Sequence, residues 1–276
     1  MMSDSMLYPA TRLDCDVGVS FIETSGCLPK CGHGTIGMVT IALENGLIAA
    51  RDPDRLRLDS PAGLVEALVE RNGAHLDGVR IANEPSFLAG RGYSVEVEGP
   101  GEPVVDIAYR GNFYAIVEPQ RNFSDVSDVQ PSDLVRWSSK LRAAFNSRHK
   151  IVHPENPALN KLSRVMWTGR SRTPGGSARN AVFYGDEAID RSPCGTGISA
   201  RMAPLAAAGR LKEDEPFVHE SIIGSTFIGR FEACARVGNF DAIVPLIEGW
   251  ARVTGFNATV IDDRDPFAHG FQVVDR

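Results

Sequence analysis

Apolar and polar positions alternate in "CDVGVSFIETSG", where Val17, Val19 and Phe21 recur at every second residue, the period of a half-buried strand. The spacing then changes. "GHGTIGMVTIALENG" carries apolar residues at helical intervals and stops at Asn45-Gly46. "RLRLDSPAGLVEALVERNGAHLDGVRIANEPSFL" returns to alternation in three runs, parted by Pro-Ala-Gly and Asn-Gly, and predicts a meander. "PVVDIAYRGNFYAIVEP" reads as a strand, followed by polar "QRNFSDVSDVQPSD". There Ser132 or Asp133 is placed to cap a helix through "LVRWSSKLRAAFNSRHK".

Further on, "ARNAVFYGDEAID" is strand-like and "GTGISARMAPLAAAG" is an Ala-rich helix. Strands are expected in "PFVHESIIGSTFIGRFEACARV", "AIVPLIEG" and "ARVTGFNATVI". Mostly strands with two prominent helices predict an α+β architecture. At 276 residues the chain is long for one core, so two domains are expected. A net charge of −6 without a basic stripe argues against nucleic acid as partner. The first residues lack the basic and apolar regions of a signal peptide, and no apolar run approaches the ~18 residues of a membrane span. Five cysteines, at 15, 27, 31, 194 and 234, are an odd count spread thinly, which favours reduced thiols in the cytoplasm over a disulfide framework.

One phrase occurs twice. "CGHGTIGMVTIALENG" (31–46) and "CGTGISARMAPLAAAG" (194–209) share Cys, Gly, Gly and a closing Gly at the same four offsets, each after a strand pattern and within a helix pattern. Two similar halves, each with a cysteine at a helix N-terminus, are the expectation. A helix start carries unpaired N–H groups and partial positive charge, which favours a thiolate and lets glycine-flanked N–H groups hold an anion. Two such starts aimed at one point would hold a carboxylate and present a thiol on each side of the carbon attached to it. Inverting that carbon requires a base on one face and an acid on the other, and enolate charge stabilised by the N–H groups. Competing readings are a Cys31–Cys194 redox pair and a metal site at Cys27, Cys31 and His33, which lacks a second Cys/His cluster. Cys15 and Cys234 are expected as small buried residues, His219 as a core histidine, and His75, His149, His153 and His269 on the surface or in turns.

"CGHGTIG" and "DRSPCGTG" resemble the signature pieces of the proline racemase family, and the resemblance extends through "LYPATRLDCDVGVSFIETSGCLP", "GNFYAIVEP", "ARNAVFYGD", "FVHESIIGS" and "DDRDPFAHGFQV" over essentially the whole chain. It implies two pseudo-symmetric diaminopimelate-epimerase-like domains, each a curved, mostly antiparallel sheet around a central helix, with the active site in the cleft between them. Residues 1–110 with about 252–276 would form the first and 111–251 the second. It also implies a cofactor-independent, metal-free isomerase with Cys31 and Cys194 as the two acid/bases. Backbone N–H groups around Gly32, His33, Gly195 and Thr196 would bind the substrate carboxylate, and His33 and Asp190 the ring nitrogen. The small-molecule partner is an imino acid, and a homodimer is the family's usual arrangement.

Among the family's activities, Cys194 argues against dehydration, for which relatives carry threonine. Ser3, where proline racemases carry phenylalanine, favours epimerisation of trans-4-hydroxy-L-proline to cis-4-hydroxy-D-proline over proline racemisation. The sequence departs from the family at Asp4 (usually glycine), Lys30 (usually methionine), Ile198 (usually threonine) and Pro204 inside the second helix. It also starts later than family members usually do, so an unpaired sheet edge is expected. These departures define the rival expectation, a non-catalytic remnant.

Overall fold

The computed structural model describes residues 3–23, 26–28, 30–82, 84–185 and 188–270. The first half runs β1 (Ser3–Tyr8), β2 (Val17–Glu23), β3 (Gly26–Leu28), α1 (Gly32–Glu44), β4 (Arg55–Ser60), β5 (Gly63–Asn72) and β6 (His75–Ala82). Then come β7 (Ser86–Ser94), β8 (Val104–Tyr109), β9 (Phe113–Val117), α2 (Pro131–Arg148), β10 (Leu162–Gly169), β11 (Ala178–Tyr184) and β12 (Ala188–Ile189). The chain continues through α3 (Gly195–Ala207), β13 (Phe217–Glu220), β14 (Thr226–Val237) and β15 (Phe240–Gly249).

The architecture is α+β, as expected, and one sheet runs through both halves. Its strand order is β1-β2-β4-β5-β6-β15-β14-β13-β11-β10-β9-β8-β7, with β3 on β2 and β12 on β11. β15 is shared: Leu246–Gly249 pair with β6, while Ala242 and Ile243 pair with β7 and close the second half into a ring. β1 pairs with β2 at the open end of this order.

Burial on two faces explains the uninterrupted apolar run of β9. Phe113, Ala115 and Val117 join the cluster under α2, with Leu134, Leu141, Phe145 and Trp167. Tyr114 and Ile116 turn to the other face, with Met166, Cys194 and Ala200 of the α3 side. α3 is buried around nearly its whole circumference from Gly195 to Leu205, so even Arg201 on it is buried and must be paired. α1 buries Ile36, Met38, Val39 and Ala42 against the first-half strands, and the Thr35 and Thr40 hydroxyls donate back to the Cys31 and Ile36 carbonyls.

Several elements differ from expectation. The helix expected through residues 134–150 is present but starts earlier, with Gln130 at its N-cap and Pro131 in its first turn, ahead of Ser132 and Asp133. The run through residues 104–117 folds as two strands, since Gly111 adopts φ +67 in a tight turn. Residues 251–262 carry no strand: the alternation is present, but no described neighbour pairs with them, and Phe256, Val260 and Ile261 stay exposed. Cys234 is exposed, against its expected burial. The register of β14 shifts between Phe231 and Ala233, which sets Cys234 opposite Ile243 at an open groove beside Ala203 and Ala206 of α3. His153 is buried rather than superficial, packed against the stacked Phe87 and Tyr109 rings.

Candidate active site

Cys31 and Cys194 are the N-cap residues of α1 and α3, and Gly46 and Gly209, which close the two repeats, both adopt left-handed φ values of +64 and +65 just past the helix ends. The two helix starts meet. A Cβ on Gly32 would lie 3.5 Å from the Gly195 Cα, and one on Gly195 would lie 3.7 Å from the Gly32 Cα. The following glycine of each motif makes room for the thiol. A Cβ at Gly34 would lie 3.1 Å from the Cys31 Sγ, and one at Gly197 would lie 3.1 Å from the Cys194 Sγ and 2.7 Å from the Met166 Cε. The Cys-Gly-x-Gly pattern thus has a steric reason in both halves.

A cleft of about 400 Å³ lies at this meeting point, and Cys31, Gly32, His33, Asp190, Cys194, Gly195 and Thr196 all line it. Ser3 opens β1 opposite Glu23, and its side chain lies outside the described residues. His33 links the halves: its Nε2 is 3.6 Å from the Cys31 Sγ, and its Nδ1 is 3.7 Å from an Asp190 carboxylate oxygen and 3.4 Å from the Ser192 hydroxyl. Ser192 donates its N–H to Asp190 at 2.8 Å, and its hydroxyl accepts the Cys194 N–H at 3.0 Å. Cys194 itself has φ +65, unusual for a residue with a side chain.

The thiol at 194 corrects one expectation. Burial first, and then the Asp190 carboxylate, push it up to about 12, against the Gly197 N–H and the Thr196 and Tyr114 hydroxyls, which favour the thiolate. Desolvation outweighs the helix start here, and Cys194 is a thiol at neutral pH. Tyr114, which the sequence reading did not single out, brings its hydroxyl within 3.7 Å of the Cys194 Sγ and 2.6 Å of the Thr196 hydroxyl. Burial and the neighbouring Cys194 hold Tyr114 well above the usual phenol range, so it stays protonated.

The cleft wall also carries Lys30, Glu84 and Arg110. The Lys30 ammonium is 3.9 Å from one Glu84 carboxylate oxygen, and Arg110 is 3.7 Å from the other. Burial, then the nearby Arg110, lower Lys30 to about 8. Behind Cys194 lies a buried polar chain. Arg201 grips Glu118 through two hydrogen bonds of 3.0 and 2.9 Å and contacts the His219 Nε2 at 2.8 Å. Asn180 lies 2.9 Å from the other ring nitrogen and donates to the Pro193 carbonyl at 2.9 Å. Burial and Arg201 keep His219 well below its ordinary range, hence neutral. Among the described residues, no three His, Cys, Asp or Glu side chains gather as a metal site.

The family model described as proline racemase matches residues 1–272. This chain belongs to the proline racemase family. The 4-hydroxyproline 2-epimerases of Ancylobacter novellus and Paracoccus denitrificans are each 60% identical to it over 274 residues, which is 99% of this chain and 82% of theirs. A crystal structure of a hydroxyproline epimerase from Agrobacterium vitis, with bound trans-4-hydroxy-L-proline, superposes with a TM-score of 0.85 at 31% identity, covering 99% of this chain and 78% of that one. A phenazine biosynthesis protein of the PhzF family from Bacillus anthracis shares the fold, with a TM-score of 0.61 at 13% identity over 90% of this chain and 81% of its own. In this proline racemase family member, the motif residues were legible because each sits beside its cysteine in sequence. Tyr114 and Glu84 reach the cleft only through the sheet, and no local pattern marks them.

Proposed function

We propose that the chain epimerises 4-hydroxyproline at Cα, interconverting trans-4-hydroxy-L-proline and cis-4-hydroxy-D-proline by a two-cysteine mechanism without cofactor. The observation that carries this reading is the meeting of two cysteine-capped helix starts in one cleft. The substrate carboxylate would lie against the N–H groups of Gly32, His33, Gly195 and Thr196, and the ring nitrogen between His33 and Asp190. One cysteine, as thiolate, takes the Cα proton; the electron pair left on carbon moves into the carboxylate, and its enediolate charge is held by the N–H groups. The opposing thiol gives its proton to the other face of the same carbon, and the two cysteines end with their protonation states exchanged. Cys194, raised by burial, is held as a thiol ready to give its proton. The names and the ligand of the relatives support 4-hydroxyproline as the substrate. Cytoplasmic location and a homodimer belong to the same reading.

Chiral chromatography of trans-4-hydroxy-L-proline incubated with the purified chain tests it. The cis-D epimer is expected to accumulate, and iodoacetamide is expected to abolish conversion unless substrate is present. Conversion of L-proline alone would make the chain a proline racemase, and a folded chain that converts neither would be the remnant.

A further inference from the structure

We infer that Lys30 and Glu84 form the subsite that reads the ring hydroxyl, an assignment that rests on the epimerase reading. Both side chains line the same cleft as the two cysteines. The Lys30 side chain is only 11% exposed, although it carries an ammonium group beside the fully buried Arg110. Its one carboxylate neighbour among the described residues, Glu84, stands 3.9 Å away, beyond hydrogen-bond reach. The Arg110 guanidinium lies 3.7 Å from the second Glu84 oxygen, an ion pair that favours the carboxylate facing the cleft with its first oxygen nearest Lys30.

A donor and an acceptor at this separation leave room for one oxygen between them. An atom about 2.8 Å from each, the usual spacing for such bonds, satisfies both. A hydroxyl fits: its lone pair accepts an N–H of Lys30, and its proton goes to Glu84. A carbonyl would leave the carboxylate without a donor, and an unsubstituted methylene would leave the buried Lys30 ammonium unmet. A site built to hydrogen-bond a substrate hydroxyl discriminates strongly against the analogue without it, because its own buried polar groups are then unpaired. The burial that lowers Lys30 reports the same unmet demand. On this account Lys30, rather than an interior hydrophobe, sets the chain's preference for the hydroxylated ring.

The test is the ratio of kcat/KM for trans-4-hydroxy-L-proline to kcat/KM for L-proline, measured for the wild type and for Lys30→Met, Lys30→Arg and Glu84→Gln, with circular dichroism showing that each is folded. Lys30→Met is expected to lower the ratio about 10- to 100-fold, the loss of a hydrogen bond from a charged donor, mainly through KM for the hydroxylated substrate. Glu84→Gln should lower it less, and Lys30→Arg should restore part of it. If Lys30→Met and Glu84→Gln slow both substrates equally, leaving the ratio within twofold of wild type, the subsite is refuted while the epimerase reading stands. If the wild type turns over neither substrate, the epimerase reading fails on its own. Calorimetric affinities for the two imino acids then decide the subsite: a preference for the hydroxylated one that Lys30→Met removes supports it, and equal or absent binding refutes it.

Discussion

Cys194 combines a left-handed backbone with a thiol raised to about 12 and a glycine three positions on that keeps its sulfur uncrowded. Such strain at one residue persists only where its surroundings impose it. Asn180 on the Pro193 carbonyl and Ser192 on the Cys194 N–H are those surroundings. Gly197→Ala would place a methyl 3.1 Å from the sulfur and 2.7 Å from the Met166 Cε. Displacing the thiol by a fraction of an ångström to an ångström should slow Cα exchange about 10- to 100-fold, with overpacking costing about 1–3 kcal/mol of stability. Exchange rates and thermal melts of the variant check this. His219 makes a prediction about pH. It is neutral in the fold with its affinity for protons depressed, so below its ordinary value of 6.5 the unfolded chain binds a proton that the native chain does not. Stability therefore falls as pH drops below about 6.5, by up to about 1.4 kcal/mol per pH unit from this group. Urea unfolding between pH 7 and 5 should show that slope, and His219→Gln should flatten it. The cysteine pair was legible at this scale because helix, glycines and thiol are contiguous. The protonation of Cys194 was not, because it depends on Tyr114 and on burial by strands far away in sequence.

Among the elements, α3 tolerates a proline that the sequence marked as disruptive. Pro204 falls in the last turn, where its carbonyl accepts the Ala208 N–H at 3.1 Å and an Arg91 N–H at 2.9 Å. The missing N–H is the one that would reach the Ala200 carbonyl, and Pro204→Ala restores it. We expect a gain of about 1 kcal/mol, below the full ~3 kcal/mol of a mid-helix proline, and a rise of about 2–4 °C in Tm by calorimetry. β14 carries the opposite lesson: a lone cysteine suggested burial at 234, yet the strand sets it opposite Ile243 with its side chain exposed. Ellman's reagent should therefore titrate Cys27 and Cys234 rapidly in the native chain, with Cys15, Cys31 and Cys194 reacting slowly. Strands β4, β5 and β6 were readable from alternation because one face is solvated. The strand expected over 251–261 failed because a strand exists only with a partner edge, which periodicity alone does not report.

At the scale of the whole molecule, the repeat places two helices, and the shared strand β15 makes them face each other. β15 pairs with β6 through Leu246–Gly249 and with β7 through Ala242 and Ile243, so neither half has a complete sheet without it. Ile36 of α1 and Ile198 and Met202 of α3 join one core cluster. The halves should unfold together, in a single calorimetric transition whose van't Hoff and calorimetric enthalpies agree. That pairing across the sheet holds the two thiols at one cleft, and the central claim is that they act on opposite faces of one carbon. The most direct measurement is proton NMR and mass spectrometry of trans-4-hydroxy-L-proline in D₂O during the first few percent of turnover by the wild type, Cys31→Ser and Cys194→Ser. Deuterium is expected at Cα of the newly formed cis-D epimer, with protium retained in the remaining substrate and no epimer from either serine variant. Deuterium appearing equally in both epimers, or a serine variant that still inverts Cα at the wild-type rate, would contradict that claim.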